Sequence, residues 1–119
     1  MNTLSTLENS NIDFSDFLKV DMKVGQIIEV TKNLKAKDSA YVLKIDFGSI
    51  GTKISSAQIT KNYSKEELLG KQIIAVINFP TKRIAGIKSE VLILAAVCHN
   101  SGTTLVIPNL PVENGTRIS

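Results

Sequence analysis

The residues best suited to catalysis in this chain are its single cysteine and its single histidine, which are neighbours, Cys98 and His99. On a strand, adjacent side chains point to opposite faces, so this pair cannot form the cysteine–imidazole contact that nucleophilic catalysis requires. A structural zinc site needs a cluster of such ligands, and the sequence has none to offer. We therefore expect no catalytic residue, no metal site and no cofactor, and we expect the chain not to be an enzyme.

The positive charge of the chain is concentrated in its middle third. The net charge is +3, and residues 50–88 carry six lysines and Arg83 against only Glu66 and Glu67. Three cations and no anion lie between Lys82 and Lys88. A focused basic patch suits a polyanion such as RNA, although the charge alone favours a solvated lysine-rich face.

Two segments contain residue types that contact nucleic acids. Residues 54–59 place small polar side chains after a predicted strand, where local turn hydrogen bonds are the alternative explanation. Residues 78–90 combine an aromatic ring, Phe79, with the cations Lys82, Arg83 and Lys88 around a flexible glycine. Phe79 can stack a base and the cations can neutralise phosphates. Phe79 also continues the alternation of Ile73, Ala75 and Ile77 in a predicted buried strand, so a position in the core is the alternative.

Alternating apolar and polar residues predict a set of short strands. Residues 20–31 form a long strand interrupted at Gly25, where a change of parity predicts a β-bulge. Residues 41–47 form a second strand and residues 52–56 a third, joined by a glycine-rich turn. Residues 73–77, 91–97 and 105–107 complete the set.

Two short helices are predicted between these strands. Asp13 is a plausible N-cap for a helical turn at the start of the chain. Ser64 and Glu67 form a capping box, Leu68 and Leu69 supply the apolar face, and Gly70 stands at the left-handed position after the helix. A helix between strands three and four is typical of an all-β, five-stranded OB-fold barrel, with an SH3-like or sandwich domain as the alternative.

The length and composition are those of one globular domain. The chain has 119 residues, 43% of them hydrophobic and 5% aromatic, which predicts an aliphatic core. We expect a flexible N-terminal arm over residues 1–12 and the domain over residues 13–119. The longest apolar run, residues 91–98, is far shorter than the roughly 18 residues a membrane span needs, so no membrane insertion is expected. A lone cysteine and the lack of a signal peptide predict a cytoplasmic location.

The segment NFPTKRIAGIKSEVLIL, preceded by SSAQIT, resembles the tRNA-binding OB domain in its compact CsaA-type form. The resemblance covers about residues 13 to 118 and includes FLKVDMKVGQI, GTKISSAQITKNY and PVENGTRI. Members of this family are described as small homodimers with chaperone and protein-export activity, and similar domains are appended to methionyl- and phenylalanyl-tRNA synthetases. The resemblance implies noncatalytic tRNA binding by a homodimer. The alternative is a protein-export chaperone that binds unfolded or precursor polypeptides in the same groove.

The resemblance also implies a set of RNA-contacting residues, to which the aromatic ring at position 79 is added. These residues are Lys53, Ser55, Ser56, Gln58, Asn78, Phe79, Lys82, Arg83, Lys88, Ser89 and Glu90. For the chaperone alternative, the groove lies beside Phe79, Ile84 and Ile87. Apolar surface for a two-fold interface is expected at both ends of the chain, from Leu4, Leu7, Phe14, Phe17, Leu18 and residues 105–110.

Overall fold

The computed structural model describes residues 10–35 and 39–119, and it begins with the predicted N-terminal helix. Helix α1 spans Phe14–Lys19, and Asp13 is its N-cap in extended backbone conformation. The Asp13 amide donates a hydrogen bond to Asp16 Oδ2 at 3.2 Å, which secures the first turn. The predicted arm, with Leu4 and Leu7, lies outside the described residues except for residues 10–12.

The first three strands form an antiparallel meander. They are β1 (Met22–Lys32), β2 (Tyr41–Asp46) and β3 (Thr52–Ala57), with a 3₁₀ turn at Gly48–Ile50 between β2 and β3. The predicted alternation in β2 is confirmed, because Tyr41, Leu43 and Ile45 are buried while their neighbours are only partly covered. Phe47 continues the same parity and is fully buried. These side chains belong to the core, in which the rings of Tyr41 and Phe47 lie among mostly aliphatic residues.

Strand β1 is shared between two partners and bends between them. Its first half pairs with β4 and its second half with β2, and Gln26 pairs with both. The register shift lies between Ile27 and Glu29, so the predicted bulge at Gly25 is wrong and the extra residue is Ile28. Gly25 has a different role. A Cβ there would lie 2.5 Å from Ile45 Cγ2 and 2.6 Å from Phe47 Cε1, so the glycine makes room for the core.

The second helix has the predicted capping box. Helix α2 spans Lys65–Leu68, with the Glu67 amide donating to Ser64 Oγ at 3.1 Å and the Ser64 amide donating to Glu67 Oε1 at 2.9 Å. Gly70 has a φ of +87°, the left-handed conformation that ends a helix. Leu68 is buried in the core, but Leu69 is 57% exposed, so its predicted place on the apolar face is wrong. A helix this short turns only one of two adjacent leucines inward.

The remaining strands complete the barrel and add two hairpins. They are β4 (Gln72–Val76), β5 (Lys82–Ile84), β6 (Ile87–Ser89), β7 (Leu92–Ile93), β8 (Ala95–Cys98) and β9 (Gly102–Leu105). The main sheet has the order β3-β2-β1-β4-β7, and its five strands form a nearly closed barrel of the OB type, as predicted. Within the described ranges, no helix is long and apolar enough to cross a membrane.

Two of the predicted strands differ from the structure. The apolar run 91–97 divides, because β7 pairs with β4 whereas β8 pairs with β9 in a separate hairpin. The strand predicted at 105–107 lies instead at Gly102–Leu105. Leu105 is buried, but Val106 and Ile107 are exposed, so the apolar residues there are not core residues. Apolar runs alone do not distinguish a buried strand from an uncovered apolar surface.

We predict that Gly25→Ala destabilises the protein by about 1–3 kcal/mol, because the added methyl group overpacks against Ile45 and Phe47. Urea unfolding followed by circular dichroism measures the free energy of unfolding. Glu29→Ala is the matched control on the exposed side of the same strand and should change that free energy by no more than about 0.5 kcal/mol. Equal stability of Gly25→Ala and the parent would contradict this account of the glycine.

Candidate nucleic-acid interface

The basic segment after β4 is a β-hairpin, although no strand is predicted there from the sequence. Strands β5 and β6 pair in the register Lys82–Ser89, Arg83–Lys88 and Ile84–Ile87. Ala85 and Gly86 form the two-residue turn with φ values of +47° and +83°, the pattern of a type I′ turn. Alanine seldom adopts positive φ, so the turn lacks the Asn-Gly or Asp-Gly pair that would have identified the hairpin.

The hairpin carries three exposed cations. Arg83 and Lys88 lie directly opposite each other across the strands, and Lys82 projects from the other face. Like charges at directly opposed positions repel each other. In the described part of the chain, none of the three forms a salt bridge, and Arg83 Nη1 donates only to the carbonyl of Gly86, at 3.2 Å. Their positive charge is therefore available to an anionic ligand.

A fourth cation, Lys35, approaches the tip of this hairpin and was missed by the sequence analysis. A Cβ placed on Gly86 would lie 3.3 Å from Lys35 Cδ and 3.9 Å from Lys35 Nζ. Asn33 helps to hold this arrangement, since its side-chain amide donates to the Ala85 carbonyl at 3.5 Å and its Oδ1 accepts from the Lys35 amide at 3.1 Å. Only the fold brings positions so far apart in sequence together, so no local pattern could have predicted the contact.

Four of the predicted contact residues form the clasp that closes the barrel between β3 and the segment 89–91. The Glu90 amide donates to the Ile54 carbonyl at 2.8 Å, and Glu90 Oε1 accepts from the Ile54 amide at 3.0 Å. Ser89 Oγ accepts from the Ser56 amide at 3.2 Å. Ser55 Oγ donates to the Val91 carbonyl at 3.2 Å. We call these bonds the clasp.

The clasp decides which of these residues remain accessible. Ser55 is 1% exposed and Ser89 is also buried, so neither presents a surface to a ligand and both serve the framework. Glu90 and Ser56 are half-buried. Ser55 and Ser56 thus bond across the barrel to Val91 and Ser89, and not chiefly within a local turn, which was the alternative that their sequence left open.

The other predicted residues lie around the hairpin in different settings. Lys53 is half-buried on β3, on the same face as Ser55, and Gln58 is exposed just beyond that strand. Asn78 is a framework residue. Its Oδ1 accepts from the Asp21 amide at 2.9 Å and its Nδ2 donates to the Lys19 carbonyl at 2.7 Å, which ties the end of α1 to the end of β4.

Phe79 lies outside the core, with 50% of its surface exposed. It borders a mostly apolar cavity of about 130 Å³ at the base of the hairpin. We call this cavity the slot. Its other lining residues are Pro80, Lys82, Ile84, Ser89, Glu90, Val91 and Leu92. Ile84 and Leu92 are also exposed, so the slot opens onto the same surface as the cations, whereas Ile87 is not part of its lining.

Cys98 and His99 lie at the end of β8, away from these groups in the fold. Both are exposed, and hydrogen bonding to the Ser101 side chain lowers the pKa of the Cys98 thiol. Over residues 10–35 and 39–119, no three His, Cys, Asp or Glu side chains come close enough to hold a metal ion. The β5–β6 hairpin with its base combines exposed cations, a half-exposed aromatic ring and a cavity.

The barrel and the basic hairpin define an OB-fold domain with a surface suited to a polyanion. The chain belongs to the family described as "Putative tRNA binding domain", whose family model matches residues 22–117. This confirms the resemblance seen in the sequence.

Solved structures support the same assignment. The chaperone CsaA from Bacillus anthracis is 47% identical, with a TM-score of 0.87 over 92% of this chain and 100% of that chain. The CsaA chaperone protein from Picrophilus torridus is 50% identical, with a TM-score of 0.86 over the same shares of both chains.

Among curated relatives, the methionine–tRNA ligase of Porphyromonas gingivalis is 38% identical over 108 residues, which are 91% of this chain. The chain spans only 16% of the length of that ligase. The similarity therefore concerns one small part of a larger enzyme, and the rest of that enzyme has no counterpart in this chain.

We predict that Glu90→Ala lowers the free energy of unfolding by about 1–3 kcal/mol, because the Ile54 amide loses its acceptor at the seam of the barrel. Glu90→Gln is the matched control, since its side-chain carbonyl can still accept that hydrogen bond, and it should stay within about 0.5 kcal/mol of the parent. Urea unfolding of the three proteins measures the difference. If both variants lose the same stability, the loss does not come from this hydrogen bond.

Proposed function

We propose that this protein binds structured RNA, and tRNA in particular, through the β5–β6 hairpin, and that it does so without catalysis. The observation that carries the proposal is the exposed pair Arg83 and Lys88, opposed on one face of the hairpin with no described carboxylate bridged to them. Lys82 and Lys35 extend the positive charge to either side. The family assignment and the similarity to a domain of methionine–tRNA ligases favour tRNA over other polyanions.

The recognition that this surface supports is of shape and phosphate positions. Three or four cations on a hairpin can neutralise a few phosphates but cannot by themselves read a base sequence. Among the residues predicted from the sequence, we assign direct contact to Lys53, Ser56, Gln58, Phe79, Lys82, Arg83 and Lys88. Ser55, Asn78 and Ser89 support the surface from within the barrel or its edge. Glu90 belongs to both groups, because it forms the clasp and also borders the slot.

The noncatalytic part of the proposal follows from the sequence. The chain has one histidine and one cysteine, adjacent and on a hairpin that carries none of the proposed contact residues. Near the cations, the described residues form no cysteine–histidine pair of the kind that nucleophilic catalysis requires. A cytoplasmic location belongs to the same proposal, and the RNA ligand and the single cysteine support it.

A second candidate is chaperone activity towards unfolded or precursor polypeptides. The observation that favours it is the apolar slot beside Phe79, Ile84 and Leu92, together with the similarity to CsaA chaperones. An apolar groove on the surface can hold a side chain of an extended peptide. The two candidates differ in their dependence on salt, because apolar contacts are little affected by screening whereas phosphate contacts are strongly affected.

For RNA binding, we predict a slope of log affinity against log salt of about −2 to −3 per subunit, as three phosphate contacts require. Lys82→Ala, Arg83→Ala and Lys88→Ala should each weaken binding of tRNA and flatten this slope by nearly one unit. Lys65→Ala, an exposed lysine on α2, is the matched control and should leave both unchanged. Fluorescence anisotropy with labelled tRNA at several salt concentrations makes the measurement.

The proposal is wrong if the Lys82 and Arg83 variants bind tRNA like the parent with the same slope. Affinity for an unfolded polypeptide that varies little with salt and falls for Ile84→Ser would support the chaperone candidate instead. The same titration with a reduced, unfolded protein as ligand provides that comparison.

We also propose that the protein is a homodimer. Both described ends of the domain expose large apolar side chains, among them Phe14 and Leu18 on α1 and Ile107 and Leu110 in the C-terminal segment. Leu105, predicted to contribute, is buried instead. The C-terminal segment lies against the start of β1 close to α1, with Arg117 Nη2 donating to the Leu18 carbonyl at 3.1 Å. Exposed apolar surface of this kind is typical of protein interfaces.

Light scattering at micromolar concentration should accordingly give about twice the monomer mass of 12.9 kDa. Phe14→Ser combined with Leu110→Ser should shift the protein towards the monomer, because both replace exposed apolar side chains by a polar one. Leu69→Ser is the matched control for an exposed leucine on α2, outside the described ends. A monomeric parent at that concentration would refute the dimer.

A further inference from the structure

The slot has the dimensions of a site for a single ring. Its volume is about 130 Å³, and most of the surface that lines it is apolar, with Lys82, Ser89 and Glu90 as its polar lining residues. A dry protein cavity of about 150 Å³ holds one benzene molecule, whereas sites for larger organic ligands begin at about 300 Å³. One wall is the Phe79 ring, which is half exposed and can stack against a flat ligand. The slot can therefore receive one planar ring with a π face, which is a whole pyrimidine or one of the two fused rings of a purine.

The charges around the slot indicate the source of that ring. Lys82 lines the slot itself, while Arg83 and Lys88 lie on the hairpin that rises from it. An apolar side chain of a peptide gains nothing from this cationic rim. A nucleotide has both parts, because its base can stack in the slot while its phosphates lie against the cations. Charge complementarity thus favours a nucleobase over a peptide side chain.

Glu90 adds a polar group at a fixed position in the lining. Its Oε1 accepts the Ile54 amide in the clasp, so the carboxylate cannot rotate freely. The other carboxylate oxygen has no hydrogen-bond partner among the described residues and can accept a hydrogen bond. Adenine, cytosine and guanine carry an exocyclic amino donor, and a carboxylate pairs well with such a group. Uracil has no amino group, and the one donor on its pairing edge, N3–H, lies between two carbonyl oxygens that a carboxylate repels.

We propose that the slot binds one unstacked base of the RNA ligand, and that Glu90 makes it prefer a base with an amino group over uracil. The inference rests on the proposed RNA binding and adds to it a preference for an unpaired nucleotide. An unpaired base is also the least costly one to present, since no base pair has to be broken. The cations of the hairpin would bind the phosphates, while the slot binds one unpaired base and selects for its amino group.

The test uses synthetic two-strand RNA duplexes, which contain no loop of unpaired bases. One is fully paired, and four others carry a single-nucleotide bulge of A, C, G or U. The parent protein should bind the A, C and G bulges about fivefold or more tighter than the paired duplex, since stacking of one base on an aromatic side chain has about that effect or a larger one. The U bulge should lie clearly below the other three.

Two variants assign the preference to the slot. Phe79→Leu keeps an apolar side chain but removes the stacking face, so the advantage of the bulged RNAs should fall several-fold towards the paired duplex. Glu90→Gln keeps the acceptor for Ile54 but turns the other oxygen into an NH₂ donor, so the discrimination against uracil should disappear or reverse. Leu69→Ala, at an exposed apolar residue outside both the slot and the ends proposed to form the dimer, is the matched control. Thermal unfolding confirms that all variants are folded.

The outcomes separate this inference from the proposed function. If all five RNAs bind the parent equally and with the expected salt slope, RNA binding stands and the base slot is wrong. If no RNA binds, the proposed function fails and the slot inference fails with it. Binding of a labelled apolar peptide that competes with the bulged RNAs, survives Phe79→Leu and is weakened by Leu92→Ser would assign the slot to a polypeptide and overturn the inference. Loss of the uracil discrimination in Glu90→Gln alone, with the stability unchanged, would confirm the role of the carboxylate.

Discussion

The closure of the barrel between β3 and the segment 89–91 is the constraint on which the candidate interface depends. Segment 89–91 leads directly into β7. Four antiparallel pairings separate β7 from β3 in the sheet, so the two segments run in the same direction. The seam is held by a backbone bond between Glu90 and Ile54 and by side-chain bonds from Ser55, Ser89 and Glu90. Side chains thus replace part of a regular ladder, because buried backbone groups at an open seam would otherwise lack partners.

The hydrogen bonds of this seam fix the position of the β5–β6 hairpin. β6 ends at Ser89, whose Oγ accepts a hydrogen bond from the Ser56 amide. The next residue, Glu90, forms the clasp bonds to Ile54. The cations of the hairpin are therefore anchored at their base to the most constrained part of the barrel. At its tip, the contact with Asn33 and Lys35 adds a second point of support. Opposed like charges such as Arg83 and Lys88 cost about 0.2–1 kcal/mol, and a hairpin held at both ends can bear that cost.

Much of the framework could be predicted from local sequence because local physics decides it. The alternation of β2, the capping box of α2 and the left-handed Gly70 depend on neighbours in sequence, and all three appear in the structure. The bulge was misplaced because a glycine and a parity change look alike whether the glycine bends the strand or makes room for Phe47. The β5–β6 hairpin was missed because its turn residue Ala85 is an unusual choice for positive φ.

The positive charge of the candidate site could be predicted from the sequence. Which of its residues face a ligand and which hold the barrel together could not. Exposed lysines and Arg83 remain at the surface, as their composition indicates. Ser55, Ser89 and Glu90 resemble contact residues in sequence, yet their bonds run across the barrel to partners more than 30 positions away. Long-range hydrogen bonds of this kind leave no local signature. The contribution of Lys35 was missed for the same reason.

This division has a physical consequence for how the domain can change its ligand. The polar residues of the clasp are needed for the barrel whatever it binds, because losing one leaves a backbone group unpaired. Four exposed side chains of the hairpin and the outer rim of the slot do not form clasp bonds. They are those of Lys82, Arg83, Lys88 and Leu92. Substitutions at these positions alter charge and shape at little cost in stability. The same barrel can therefore present different surfaces to different partners. Glu90 is the exception, because one of its carboxylate oxygens belongs to the framework while its side chain also lines the slot.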